Sequence, residues 1–240
     1  MTAAVLPFVS VVLLWAVFLL DKGYDLDLHR YGLLPRSWKG LIGVFTAPLL
    51  HGDIKHIFNN SVAGLMLGWC LMYFYPRNAG RVVAITWLAG GSAVWLMGRT
   101  SYHIGASGVV YGMAAFLFFS GILRRQRTLT ALSLIIVFFY GGLVWGVFPI
   151  VPHMSWESHL WGGLVGGAMA YVYRAIPPAI SDPRPAFADD PDDELEEDDG
   201  VITAGGPGDE AERTRPQWQV GSTDHGNPAT TSSTWDRFDG

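Results

Sequence analysis

The chain has 240 residues, half of them hydrophobic and only 15% charged, with a mean hydropathy of +0.27; an ordinary soluble domain carries about 25% charged residues, so that class is excluded. The formal charge of −5 conceals a division, because residues 1–175 carry 12 Lys or Arg against five acids while residues 176–240 carry four against 16. The lone cysteine, Cys70, excludes a disulfide framework and is read as a packing or lipid-facing residue.

A helix crosses about 30 Å of hydrocarbon with roughly 20 apolar residues, and roughly 17 suffice at the short end. Six segments approach that length. The first, Ala3–Leu20, lacks a basic stretch before it and an Ala-x-Ala site after it, so it is expected as a retained helix rather than a secretory signal. A loop from Asp21 to about His56 follows, with Tyr24, Tyr31, Trp38 and Phe45 among its charges, a mixture suited to the headgroup layer. The remaining spans are expected at Ile57–Tyr75, Val82–Met97, Ala106–Leu123, Leu129–Phe148 and His159–Tyr173. The short basic turns Pro76-Arg77-Asn78 and Arg124-Arg125-Gln126-Arg127 place both termini in the cytoplasm under the positive-inside rule, although Lys22, Arg30, Arg36, Lys39 and Arg99 pull against it. The Pro149–Ser158 loop, with two prolines, is expected as a lid over the start of the last span. Residues 1–175 are thus expected as the membrane domain. Residues 176–240, acidic and poor in apolar side chains, are expected as a disordered cytoplasmic tail that keeps the terminus solvated.

Polar side chains are costly inside such spans, which makes each a functional candidate. On the second span His56 and Asn60 lie four apart and share a helix face, with His51 just before them. On the fourth, Ser107 stands near the helix start and Tyr111 one turn deeper; on the sixth, His159 stands at the outer end, followed by Gly162, Gly163 and Gly166. With the N-terminus inside, spans two, four and six all begin outside, so these groups fall at one depth. Gly108–Gly112, Gly162–Gly166 and Gly163–Gly167 have the GxxxG spacing that lets helix backbones approach closely, which brings Ser107 and His159 within hydrogen-bond reach. A serine hydroxyl needs an imidazole to take its proton before it attacks a carbonyl. The oxyanion then needs donors, and the Ser107 N–H with the His56 and Asn60 side chains are the candidates.

GASG around Ser107, the spacing of His51, His56 and Asn60, Tyr111 beyond the serine and His159 followed by GGLVGG together resemble the rhomboid intramembrane serine proteases. The resemblance covers residues 1–175 and three separate spans. It implies an all-α, six-transmembrane-helix polytopic bundle with a Ser107–His159 dyad and no third acid. Tyr111 would pack on the His159 ring, and His56 and Asn60 would line the oxyanion hole. His51 itself reads as a support of the first loop through a hydrogen bond rather than as a catalytic group. The resemblance further implies a water-filled cavity towards the extracytoplasmic face of the cell membrane and single-span membrane-protein substrates held in a lipid bilayer. Neither a metal, an organic cofactor nor a nucleic acid is called for, and the oligomeric state is left open. Rhomboids often carry a Trp-Arg pair in the first loop; here Arg36 and Trp38 stand in PRSWKG instead, so that loop's role is not carried across.

Each residue alone also has an ordinary reading. A serine in a membrane helix usually mediates helix contact or bonds back to a carbonyl, a buried histidine usually bonds backbone, and Tyr111 fits a core. His29, His103 and His153 read as loop residues rather than ligands. The chain lacks HExxH for a zinc protease and an acid deep in any span for an aspartyl dyad. Two rivals are a non-catalytic rhomboid-like protein that binds or escorts membrane clients, and a small transporter. The first class typically loses the serine or the histidine, both present here; the second calls for charges or broken helices at the midplane.

Overall fold

The computed structural model describes residues 2–150 and 154–180. Six helices carry the architecture: α1 Val5–Tyr24, α2 Ile54–Phe74, α3 Ala79–Met97, α4 Ser107–Arg124, α5 Arg127–Tyr140 and α6 Trp156–Val172. The first four are long and apolar enough to cross a bilayer. α5 and α6 are shorter, at 14 and 17 residues.

The fifth apolar segment departs from the expected continuous span. Its α-helix ends at Tyr140 and tightens into a 3-10 helix over Gly141–Val147. Gly141 and Gly142 stand at the break and weaken the α-helix there by about 1 kcal/mol each, although the pairs Gly90-Gly91, Gly162-Gly163 and Gly166-Gly167 sit inside unbroken helices. The sixth helix begins at Trp156, three residues before His159, which places the histidine in the first turn.

The long first loop is also more structured than a chain lying in the headgroups. It forms a 3-10 turn at Leu28–Tyr31 and an apolar helical stretch at Lys39–Leu49. Leu33, Val44 and Ala47 bury against Val94 of α3, while Trp87 Nε1 donates to the Val44 carbonyl at 2.9 Å and Trp95 Nε1 to that of Ser37 at 3.0 Å. Arg36 adds guanidinium bonds to the Gly98 carbonyl at 2.7 Å and Thr100 Oγ1 at 3.1 Å. Trp38 points outward, 84% exposed. An antiparallel bridge pairs Leu33 with His103, so the first loop and the loop before α4 hold each other.

α4 sits in the middle. Its Phe116 and Leu117 are fully buried among Leu67 and Leu71 of α2, Val82 of α3, Leu129 and Leu132 of α5, and Met169 of α6. Cys70 packs against the same cluster. The outward faces are apolar instead: Phe8, Leu19, Met66, Phe138, Phe139 and Val172 are all exposed, the inverse of a water-soluble surface.

Glycines set the closest approach. A methyl added at Gly162 would run into the Gly108 carbonyl, and one at Gly166 into the Gly112 carbonyl, so α4 and α6 touch backbone to backbone. Gly163 lies off this crossing, with open space where a side chain would stand, and Gly167 faces Phe119; this second glycine pair does not make the contact expected of it. At the opposite end of α4, Arg124 Nη2 donates to the carbonyls of Tyr173 at 2.6 Å and Ile176 at 2.9 Å, and the Ala179 N–H donates to the Phe74 carbonyl at 2.9 Å. Packing against the bundle therefore continues past the expected boundary at residue 175. Residues 181–240, with most of the expected tail, and residues 151–153 of the expected lid lie outside the described residues.

Candidate active site

The glycine crossing brings the starts of α4 and α6 together. Ser107 is the first residue of α4, so its N–H and those of Gly108 and Val109 lack a carbonyl in their own helix and face the space before the helix. His159 Nε2 lies 2.8 Å from Ser107 Oγ, and both side chains are buried. The other ring nitrogen, Nδ1, lies 2.9 Å from the Gly146 carbonyl in the 3-10 helix. A carbonyl only accepts, so Nδ1 carries the proton and Nε2 is left bare to accept from the serine hydroxyl. Below the pair, the Tyr111 ring stacks on the His159 ring, with centroids 4.1 Å apart and planes 4° from parallel. Stacking and the Gly146 bond hold the imidazole by its face and by its far edge.

α2 supplies the second set of polar groups. Asp53 caps this helix by accepting from the His56 N–H at 2.8 Å, which fixes its first turn. One turn on, Asn60 is buried and its Nδ2 donates to His51 Nε2 at 3.0 Å, while the His51 and His56 rings meet edge to face at 5.0 Å. An amide nitrogen has two N–H groups, so one remains for a ligand. Burial, and then the neighbouring His56, lower His51 to about 4, which keeps it neutral and able to accept from Asn60.

Gly105 connects these groups with Ser107. Its φ of +110° suits glycine, and a side chain there would lie 2.5 Å from His56 Nε2 and 3.4 Å from Asn60 Nδ2. The space before those two donors therefore exists because residue 105 is glycine. His51, His56, Asn60, Ser107, Tyr111 and His159 are thus brought into one cluster, and Gly105 and Gly146 join it unanticipated. Gly105 was signalled by its place two residues before the serine. Gly146 acts through a backbone carbonyl, which no side-chain pattern reveals. His103, expected as an ordinary loop residue, is instead buried, and burial lowers its pKa.

Comparison with known proteins gives a concordant result. The Rhomboid domain matches residues 38–176, more than half of the chain. An uncharacterized protein of Mycobacterium tuberculosis is 35% identical over 182 residues, covering 71% of this chain and 74% of its own length. One of Mycobacterium leprae is 32% identical over 184 residues, covering 73% of each chain.

Proposed function

The chain belongs to the rhomboid family and is a multi-pass membrane protein, and from that premise we propose that it is an intramembrane serine endopeptidase using Ser107 and His159 as its dyad. The observation that carries the reading is the 2.8 Å hydrogen bond between His159 Nε2 and Ser107 Oγ, made with the far ring nitrogen already engaged by Gly146.

In this mechanism Ser107 Oγ attacks the scissile carbonyl carbon as its proton passes to His159 Nε2. The oxyanion takes hydrogen bonds from the Ser107 N–H, the free Asn60 N–H and His56, donors that count heavily where water is scarce. The C–N bond breaks as Nε2 returns the proton to the departing amine. Water then attacks the acyl-enzyme with His159 again as base, giving the carboxylic acid and free Ser107. The Gly146 carbonyl takes the orienting role that a carboxylate has in a triad, and its dipole favours the transient imidazolium.

We further read the six helices as six spans, with Ser107 and His159 near the extracytoplasmic face and both termini in the cytoplasm. Substrates are single-span membrane proteins whose helix unwinds near the outer leaflet, because a carbonyl engaged in helical hydrogen bonds is shielded from attack. The test is cleavage of a reconstituted single-span substrate by the wild type and by Ser107→Ala. Cleavage by the wild type alone supports the reading; equal cleavage by both removes the serine from the mechanism.

A further inference from the structure

Above the dyad, the loop preceding α4 is joined to the start of α6 by side chains that the proposed chemistry does not use. Arg99 Nε lies 3.5 Å from Glu157 Oε1, the Arg99 N–H donates to the same oxygen at 3.3 Å, and Arg99 Nη2 donates to the Met154 carbonyl. His103 Nε2 donates to the Arg99 carbonyl at 3.2 Å, which leaves Nδ1 to accept from Ser155 Oγ at 2.5 Å; Ser155 in turn bonds Ser158 Oγ at 2.6 Å.

Two features separate this cluster from chance contacts between exposed polar side chains. Glu157 is 3% exposed, and it and Asp21 are the only acidic residues on the six helices. A buried carboxylate at a membrane helix end is costly unless a cation meets it, so something other than bulk packing accounts for it. The second is register. His103 precedes Ser107 by four residues, and Ser155 precedes His159 by four. The His103–Ser155 bond therefore joins the same two chain segments as the Ser107–His159 bond, four residues earlier in each. The loop carrying Arg99 and His103 is anchored on its other side as well, through the two backbone bonds between Leu33 and His103 and through the Gly105 N–H to the Ala47 carbonyl at 2.8 Å.

We propose that Arg99, His103, Ser155 and Glu157 form a clasp that sets the depth and rotation of the first turn of α6, so that these are positioning residues for His159. The inference rests on the reading of Ser107 and His159 as the dyad. A helix advances 1.5 Å per residue, so a slip of one residue at α6 abolishes a 2.8 Å bond. The clasp opposes a slip that brings Gly163 and Gly167 into the crossing in place of Gly162 and Gly166, which small residues alone do not prevent.

The test uses the full chain in reconstituted bilayers with Glu157→Gln, Ser155→Ala and the double variant Arg99→Ala/Glu157→Ala. Glu157→Gln lowers kcat about tenfold or more with KM unchanged, in protein that unfolds at nearly the wild-type temperature. Glu157→Asp restores part of the loss. The double variant costs no more than Glu157→Gln, because the two side chains act as one unit. Amide exchange over residues 159–163, which is read whether or not the chain cuts, is faster in all three variants than in the wild type. Wild-type kcat in Glu157→Gln, or unchanged exchange in every variant, overturns the clasp. Equal cleavage by wild type and Ser107→Ala overturns the protease reading instead, and the exchange data then still decide whether the clasp orders α6. Should Glu157→Gln fail to fold, Ser155→Ala leaves no buried charge unpaired and carries the same expectation.

Discussion

At the scale of single residues, the side chains that share one face were legible from spacing, His56 and Asn60 standing four positions apart and Ser107 and Tyr111 likewise. What spacing does not carry is the backbone acceptor at Gly146. A methyl at that position would collide with the Tyr111 hydroxyl and stand 3.1 Å from His159 Nδ1. Gly146→Ala is therefore expected to reduce kcat by up to about 10²-fold, the cost of misplacing a base by about 1 Å, and the collision with Tyr111 should cost about 1–3 kcal/mol of stability; cleavage at the wild-type rate would show that the Gly146 contact is dispensable. His51 gives a pH prediction. With its pKa lowered to about 4 from 6.5, the unfolded chain binds a proton between those values that the folded chain does not, so stability falls as pH drops through that window and is flat above it for this group. Between pH 7 and pH 4 the melting temperature of the wild type should fall further than that of His51→Gln; parallel curves would remove His51 as a source of acid sensitivity.

At the scale of elements, five of the six apolar runs became helices within a few residues of their expected bounds, because roughly 15–20 apolar residues without charge leave little alternative. The fifth did not. Its Gly141-Gly142 pair reads no differently from the glycine pairs inside α3 and α6, the apolar run passes through it unmarked by polarity, and the 3-10 turn puts the Gly146 carbonyl beside His159. The glycine repeats predicted that α4 and α6 touch without showing which of two overlapping pairs on α6 does so. Gly162→Ala or Gly166→Ala inserts a methyl into backbone and should cost about 1–3 kcal/mol, whereas Gly163→Ala should be neutral. Unfolding in denaturing detergent reads the difference. Equal stability of Gly162→Ala and Gly163→Ala would contradict the crossing.

At the scale of the whole molecule, the bundle is closed at both ends by different means. At the Ser107 end, the folded first loop and the loop before α4 hold each other and the start of α4. At the other, Arg124 and the strand of chain to residue 180 tie α6 back to α4 and α2. Truncation after residue 180 should therefore leave cleavage within about twofold of the full chain, whereas truncation after residue 172 removes the acceptors of Arg124 and leaves a cation with donors unmet, at about 1–3 kcal/mol or more. Loss of activity on the first truncation would assign the acidic segment a part in catalysis. The central claim, a nucleophile at Ser107 activated by His159, is reached most directly by a serine-reactive fluorophosphonate probe with mass spectrometry of the labelled peptide. A single adduct on Ser107, lost in His159→Ala, is expected; an adduct on any other serine, or labelling of Ser107 that persists without His159, would contradict that assignment.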